Sequence, residues 1–268
     1  MISLKNIDMV FGEGTADRNH VLKNINLTIN PGDFITVIGS NGAGKSTLYN
    51  VIAGTLRPTK GEIFLTRDNE APKNITKDKE YKRAYYIGRI FQDPLLGTAG
   101  KMSIADNMLI CSKKGWKGLK ISLNKKLREE FKEKLKILDM GLENRINENV
   151  EKLSGGQRQA LTLLMAVMSK PSLLLLDEHT AALDPGNAEA VMKLTKEFAK
   201  EYNLTVMMIT HNMNHALEYG NRLLMMDSGE IIMDISGKEK ENLTMDVLIK
   251  RFKEIKKQEL NSDAMLLG

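Results

Sequence analysis

The sequence predicts an α/β protein with a strand–loop–helix core, an antiparallel β segment at its N-terminal end and a helical lobe inserted in the middle. Three observations carry that prediction. Residues 34–53 read as a short β-rich run, a glycine-rich loop and a helix, the start of a βαβ-like unit. Leu173-Leu174-Leu175-Leu176 is an apolar run without polar alternation, as expected of a parallel strand buried on both faces. Between them, residues 92–160 take on a helical, strongly charged pattern.

Ile2, Leu4, Ile7, Val10 and Phe11, then Val21, Leu22, Ile25, Leu27 and Ile29, mark two strands separated by the polar loop Gly12–His20. Pro31-Gly32 is a turn, and Phe34–Ile38 is a strand ending at Gly39. Ser46–Ala53 reads as a helix with Gly54 as its stop. Lys113–Lys136 holds ten Lys/Arg and three Glu, a local excess of +7 by subtraction, read here as a solvated helix face. Strands return at Thr205–Thr210, Arg222–Met226 and Glu230–Asp234, the last two joined by an Asp227-Ser228-Gly229 turn. The tail from Thr244 has the pattern of an amphipathic helix.

Composition narrows the classes. The chain of 268 residues is 42% hydrophobic, enough for a sizeable core, and its sixteen Met residues compensate for an aromatic content of 5%. A net charge of +5 is spread thinly and does not argue for a nucleic-acid partner, whose binders concentrate basic charge on one face. The single cysteine, Cys111, excludes an internal disulfide and a cysteine-cluster metal site. The first residues, MISLKNIDMV, lack a basic-then-apolar signal segment. Apolar runs such as Leu161–Met168 fall short of the roughly 18–20 residues that span a bilayer, so any membrane role is expected to come through a partner.

Two segments carry chemistry. Gly39-Ser40-Asn41-Gly42-Ala43-Gly44-Lys45-Ser46-Thr47 matches G-x-x-x-x-G-K-[ST]. Its glycines let successive N–H groups point inward at phosphate oxygens, and the following helix adds its positive end. Lys45 can reach the β- and γ-phosphates, and Ser46 can ligate Mg²⁺. The second segment, Asp177-Glu178, lies where ligands bind in open α/β sheets. Asp177 would hold Mg²⁺, and Glu178 would polarise the attacking water. A third segment, Leu153-Ser154-Gly155-Gly156-Gln157, is another helix N-terminus with exposed amides and a serine hydroxyl, suited to an anion.

The order Gly39–Thr47, Gln92, Leu153–Gln157, Leu173–Glu178, Asp184 and His211 resembles an ABC transporter ATPase over nearly the whole chain. The resemblance implies a P-loop NTPase (RecA-like) core, with residues 1–91 and 160–235 as the α/β part, 92–159 as the helical subdomain and 236–268 as a short C-terminal extension. It implies two cassettes packed head to tail, with ATP and Mg²⁺ between one phosphate loop and the partner's Ser154, Gly155, Gly156 and Gln157. Gln92 resembles the glutamine that senses Mg²⁺ and the attacking water, and its loop to Gly100 the segment that touches the permease. His211 resembles the switch histidine on the γ-phosphate, Asp184 the loop at the dimer seam, and Phe11 the aromatic residue that stacks on adenine. The implied partners are a second cassette, an integral membrane permease and an extracytoplasmic solute-binding protein, with the chain peripheral at the cytoplasmic face. His179 departs from the proline that many relatives carry. Asp-Glu-His-Thr-Ala-Ala-Leu-Asp-Pro, Phe91–Leu95 and Leu161–Met165 look like an importer subgroup associated with aromatic amino acids.

Rival ATPases of this type fit less well. Repair and chromosome proteins need long heptad-repeat arms, and the roughly 100 residues between Thr47 and Leu153 leave no room for one. Translation-associated relatives resemble tandem cassettes, whereas one is present here. A nucleotide-gated scaffold without turnover would not need Glu178 and His211.

Overall fold

A computed structural model describes residues 1–67, 70–112 and 123–266, without the side chains of 256–266. Residues 113–122, including Trp116 and the first part of the basic stretch, lie outside the described residues.

The chain forms β1 (Ile2–Phe11), β2 (Asn19–Ile29), β3 (Phe34–Gly39), α1 (Lys45–Ala53), β4 (Lys60–Leu65), β5 (Lys73–Asn74), α2 (Glu80–Arg83) and β6 (Ile87–Ile90). The helical part follows as α3 (Ile104–Ser112), α4 (Lys125–Lys136) and α5 (Gly155–Met168), with short 3₁₀ turns before α3 and between α4 and α5. Then come β7 (Leu173–Asp177), α6 (Pro185–Glu201), β8 (Val206–Ile209), α7 (Met213–Glu218), β9 (Arg222–Asp227), β10 (Glu230–Ser236), α8 (Gly237–Glu241) and α9 (Met245–Leu266). The expected strands and the helices after Gly44 and Thr244 are all present.

Two sheets result. One is antiparallel, in the order β2-β1-β4-β5; the other runs β10-β9-β3-β8-β7-β6. Every pairing in the second sheet is parallel except that of the edge strand β10 with β9. The apolar strands now make sense residue by residue. Ile35, Val37, Leu173, Leu175, Met207 and Ile209 face a core shared with α1 and the antiparallel sheet. Phe34, Ile90, Leu174, Leu176, Val206 and Met208 face the opposite core, shared with α5, α6 and the helical lobe. Period-two alternation therefore supplies both cores from one unbroken apolar run. Met207, Met208, Met225 and Met226 fill core positions on these strands, as the scarcity of aromatics led us to expect.

The carboxyl end of α1 depends on a residue that no periodicity announces. Arg83 is fully buried yet pairs with no carboxylate among the described residues. Instead it donates to five backbone carbonyls: Nη1 to Val51 and Ile52, Nη2 to Ile75 and Thr76, and Nε to Asp78. Val51 and Ile52 lie in the last turn of α1, where carbonyls lack helical partners and a cation is favoured. Gly54 ends the helix in the left-handed conformation, its N–H on Asn50 O at 3.0 Å.

Replacing Arg83 by Met would leave these carbonyls unsatisfied in a dry site. We expect a loss of about 3 kcal/mol or more in urea unfolding. A loss under about 1 kcal/mol would show that water reaches the carbonyls and that Arg83 does not hold α1 in place.

Candidate active site

Parallel register brings the predicted loops to one edge. Val37 on β3 pairs with Ile209 on β8, Ile209 also pairs with Asp177 on β7, and Leu176 pairs with Ile90 on β6. The residues that follow these strands (Gly39–Thr47, Glu178, His211 and Gln92) therefore emerge side by side at the carboxyl edge of the sheet.

The phosphate loop leaves β3 at Gly39, whose φ of 152° places it where a Cβ would collide with the carbonyl of Met226 on β9. Glycine thus lets the loop lie directly against the neighbouring strand. Asn41, Gly42 and Ser46 are exposed, Thr47 is partly covered, and Ala43, Gly44 and Lys45 are buried. Lys45 folds back over the loop: Nζ donates to Gly39 O and Ser40 O, each at 2.8 Å. Burial lowers the pKa of this amine, while the nearby Glu178 and Asp177 charges act the other way. Ser40 Oγ donates to Asp227 Oδ1 at 3.2 Å, anchoring the loop to the end of β9.

Asp177 ends β7 and accepts from Arg89 Nη2 at 3.2 Å. Glu178 follows in the left-handed region, at φ 48°, uncommon for a residue with a Cβ and typical of strained functional positions. Its N–H reaches Ile209 O at 3.2 Å, so the strain is held by the adjoining strand β8. Its carboxylate Oε1 lies 2.6 Å from His211 Nε2. The structure thus joins the two residues expected to act on water and on the γ-phosphate. Gln92 is exposed just beyond β6, and Asn107 ties down the far end of its loop by accepting from Ala99 N and donating to the carbonyls of Ala99, Met102 and Ser103.

Ser154 caps α5: its hydroxyl accepts from Gln157 N at 3.2 Å, and Gln157 Oε1 accepts in return from Ser154 N at 3.2 Å. Arg145 Nη1 also donates to Gln157 Oε1, and Arg158 donates to the carbonyls of Val150, Glu151 and Leu153. Gly156 abuts α6 so closely that a Cβ would strike Asn187, and the cap of α6 is Asp184, which accepts from Asn187 N at 3.1 Å. The Ser154 and Asp184 segments therefore form one unit. No hydrogen bond or ion pair among the described residues joins Ser154–Gln157 to Gly39–Thr47. Phe11 is 39% exposed at the end of β1, with no ring contact among the described residues.

Sequence reasoning missed Arg89, whose partners Asn50 and Asp177 lie in distant segments, and Arg145, Arg158 and Asn187, whose bonds fix the two caps. It noticed His179 only as a departure. That side chain is buried, and because Thr195 donates its hydroxyl to Val191 O, Oγ1 accepts from His179 Nε2 at 3.2 Å. Burial, helped by His215, pushes the His179 pKa down to about 4.

Among the described residues, no cluster of three or more His, Cys, Asp or Glu could hold a metal, and no helix is long and apolar enough to cross a membrane. Ser46, Asp177 and Gln92 nonetheless offer hydroxyl, carboxylate and amide oxygens. Such a sparse oxygen set suits Mg²⁺ bound jointly with substrate phosphates.

A family model described as ABC transporter matches residues 22–181. A tyrosine transport ATP-binding protein of Clostridioides difficile is 40% identical over 255 residues, covering 94% of this chain and 98% of the relative. A putative hemin import ATP-binding protein of Staphylococcus haemolyticus is 34% identical over 86% of this chain and 98% of its own length. Among solved structures, a dimeric ATP-binding cassette in a post-hydrolysis state, bound to ADP and Pi, superposes with a TM-score of 0.71 at 29% identity, covering 88% of this chain and 98% of that one. The ADP conformation of another ABC transporter cassette gives a TM-score of 0.74 at 27% identity, covering 94% and 98%.

His179 makes stability depend on pH with a definite sign. Its folded pKa, about 4, lies below the ordinary 6.5, so the unfolded chain binds the proton first as pH falls. Stability is therefore lost between pH 6.5 and about 4. The parent should lose about 1 kcal/mol more than a His179→Leu variant between pH 7 and pH 5.5 in urea unfolding. Equal losses in both proteins would mean that His179 takes up its proton in the folded state.

Proposed function

Because the chain belongs to the ABC transporter family and is an ATP-hydrolysing cassette, we propose that it powers an importer of a small solute, an aromatic amino acid, as one half of a cassette dimer. The carrying observation is that four loops emerge at the sheet edge that holds the Glu178–His211 pair, while no hydrogen bond or ion pair among the described residues joins Ser154–Gln157 to the phosphate loop. A site split in this way is completed by a second copy, and the dimeric cassette bound to ADP and Pi supports that reading. The 40% identity to a tyrosine transport ATP-binding protein supports the choice of solute.

In the proposed mechanism, the amides of residues 39–47 and the Lys45 ammonium bind the phosphates, and the Phe11 ring stacks on adenine. Ser46, Gln92 and Asp177 would hold Mg²⁺, which neutralises charge on the β- and γ-phosphates when bound. The partner's Ser154, Gly155 and Gly156 close over the γ-phosphate, with Asp184 at the seam beside them. Glu178 accepts a proton from the attacking water as the new P–O bond forms and the bond to the ADP oxygen breaks. His211 orients Glu178 and contacts the γ-phosphate on closure. Such chemistry depends mainly on positioning and charge stabilisation. Closure is favoured because these contacts exist only in the closed dimer. The exposed Leu95 and Leu96 suit the loop after Gln92 to an integral membrane permease, and the helical lobe, residues 92–159, moves with it. The permease holds the chain at the cytoplasmic face of the membrane and receives solute from an extracytoplasmic binding protein.

Replacing Glu178 by Gln should preserve ATP binding, lower steady-state phosphate release at least about a hundredfold, and accumulate an ATP-bound dimer. Turnover at the parent rate would remove Glu178 from its assigned role. A Lys45→Ala chain should bind ATP at least about tenfold more weakly, as measured by calorimetry; unchanged affinity would contradict the phosphate contact. For the solute, the complex with its permease and binding protein should hydrolyse ATP faster when tyrosine, phenylalanine or tryptophan is added. No stimulation by any of the three would reject aromatic amino-acid import while leaving the ATPase assignment in place.

A further inference from the structure

Arg89 lies on β6, three residues before Gln92, and no motif draws attention to it. Its side chain is 14% exposed. Nη2 donates to Asp177 Oδ2 at 3.2 Å, Nη1 donates to Asn50 Oδ1 on α1 at 2.7 Å, and the guanidinium carbon sits 4.6 Å from the centre of the Phe91 ring. Nε is buried without an acceptor among the described residues. A guanidinium with an unmatched buried donor is costly unless an opposite charge offsets its desolvation. Asp177 is the one carboxylate it pairs with among the described residues. Asp177 Oδ1 carries no hydrogen bond among the described residues, so one carboxylate oxygen is occupied and the other is left open.

Charge at this edge gives that pairing a consequence. Asp177 and Glu178 both act on Lys45, so the amine that must meet phosphates sits in a field of two carboxylates. A nucleotide arriving without a metal would be repelled by Asp177 unless a cation neutralised it.

We propose that Arg89 is a positioning residue that serves as a stand-in cation for Asp177: it neutralises this carboxylate while no divalent ion is bound and keeps one of its oxygens open for Mg²⁺. The idea rests on the assignment of Asp177 to Mg²⁺. It gives the strand leading to Gln92 a direct electrostatic hold on the metal site. Removing the positive charge strengthens the attraction between Asp177 and Mg²⁺, and it weakens nucleotide binding without metal. Both effects raise the ratio of the dissociation constant in EDTA to that in Mg²⁺. A guanidinium that merely tied β6 to α1 would shift both constants together and leave the ratio alone.

The test measures binding of a fluorescent ATP analogue to the full chain, in EDTA and in Mg²⁺, for the parent, Arg89→Met and Arg89→Lys. The ratio should rise about fivefold or more in Arg89→Met and stay within about twofold of the parent in Arg89→Lys, which keeps the charge. If the Met variant fails to fold, Arg89→Gln makes the same comparison, since it keeps a polar partner for Asn50 while losing the charge. A ratio unchanged or lowered in the neutral variant overturns the stand-in role. A parent whose affinity does not respond to Mg²⁺ at all overturns the Asp177 assignment and this inference with it.

Discussion

Parallel pairing of β3 with β8, and of β8 with β7, is the constraint on which the remaining structure depends. Parallel strands point their carboxyl ends the same way, so the loops after them share one edge. The pairing Val37–Ile209–Asp177 aligns the phosphate loop, the Glu178 turn and the His211 turn without further machinery. A slip of one residue would exchange the two faces of each strand, burying the wrong set of Leu, Ile and Met side chains. The cores on both sides of the sheet thus enforce the register that the site needs.

On that frame the site concentrates opposing charges. Lys45 and Arg89 face Asp177 and Glu178, and each cation is anchored elsewhere: Lys45 on loop carbonyls, Arg89 on Asn50. Glu178 is held by β8 in a backbone conformation it would not otherwise favour, with His211 on its carboxylate. These groups are fixed before any substrate arrives. Preorganised charge of this kind needs little rearrangement at the moment of phosphoryl transfer. The Ser154 segment is fixed equally firmly, by its own capping box, by Arg145 and Arg158 and by the Gly156–Asn187 contact, but no hydrogen bond or ion pair among the described residues ties it to the phosphate loop of its own chain.

Much of this was legible in the sequence because the signals are local. The glycine and lysine spacing at 39–47, the acidic end of the Leu173–Leu176 run and the serine before Gly155-Gly156 each encode their geometry within a few residues. The strands were readable because burial on one or two faces imposes a pattern on the chain. Arg83 and Arg89 were not readable. Each is a single polar residue that reaches a distant segment, Val51 and Ile52 for Arg83 and Asn50 and Asp177 for Arg89, and a buried arginine looks like a surface arginine until the fold is known. The pairing of His211 with Glu178 was likewise hidden, since both were assigned to the site separately. His179 stood out as a departure in type, but its burial against Thr195 came from packing between β7 and α6.

In the proposed mechanism a working site takes its phosphate loop from one chain and Ser154 from another. Mixing two inactive variants tests it most directly. Lys45→Ala disables one half; Ser154→Asp disables the other by placing negative charge before the γ-phosphate, while still providing an N-cap for α5. Their mixed dimer would contain one site with both halves intact, so phosphate release should rise well above that of either variant alone. A mixture no more active than its separate components, with mixed dimers shown to form, would contradict the shared site.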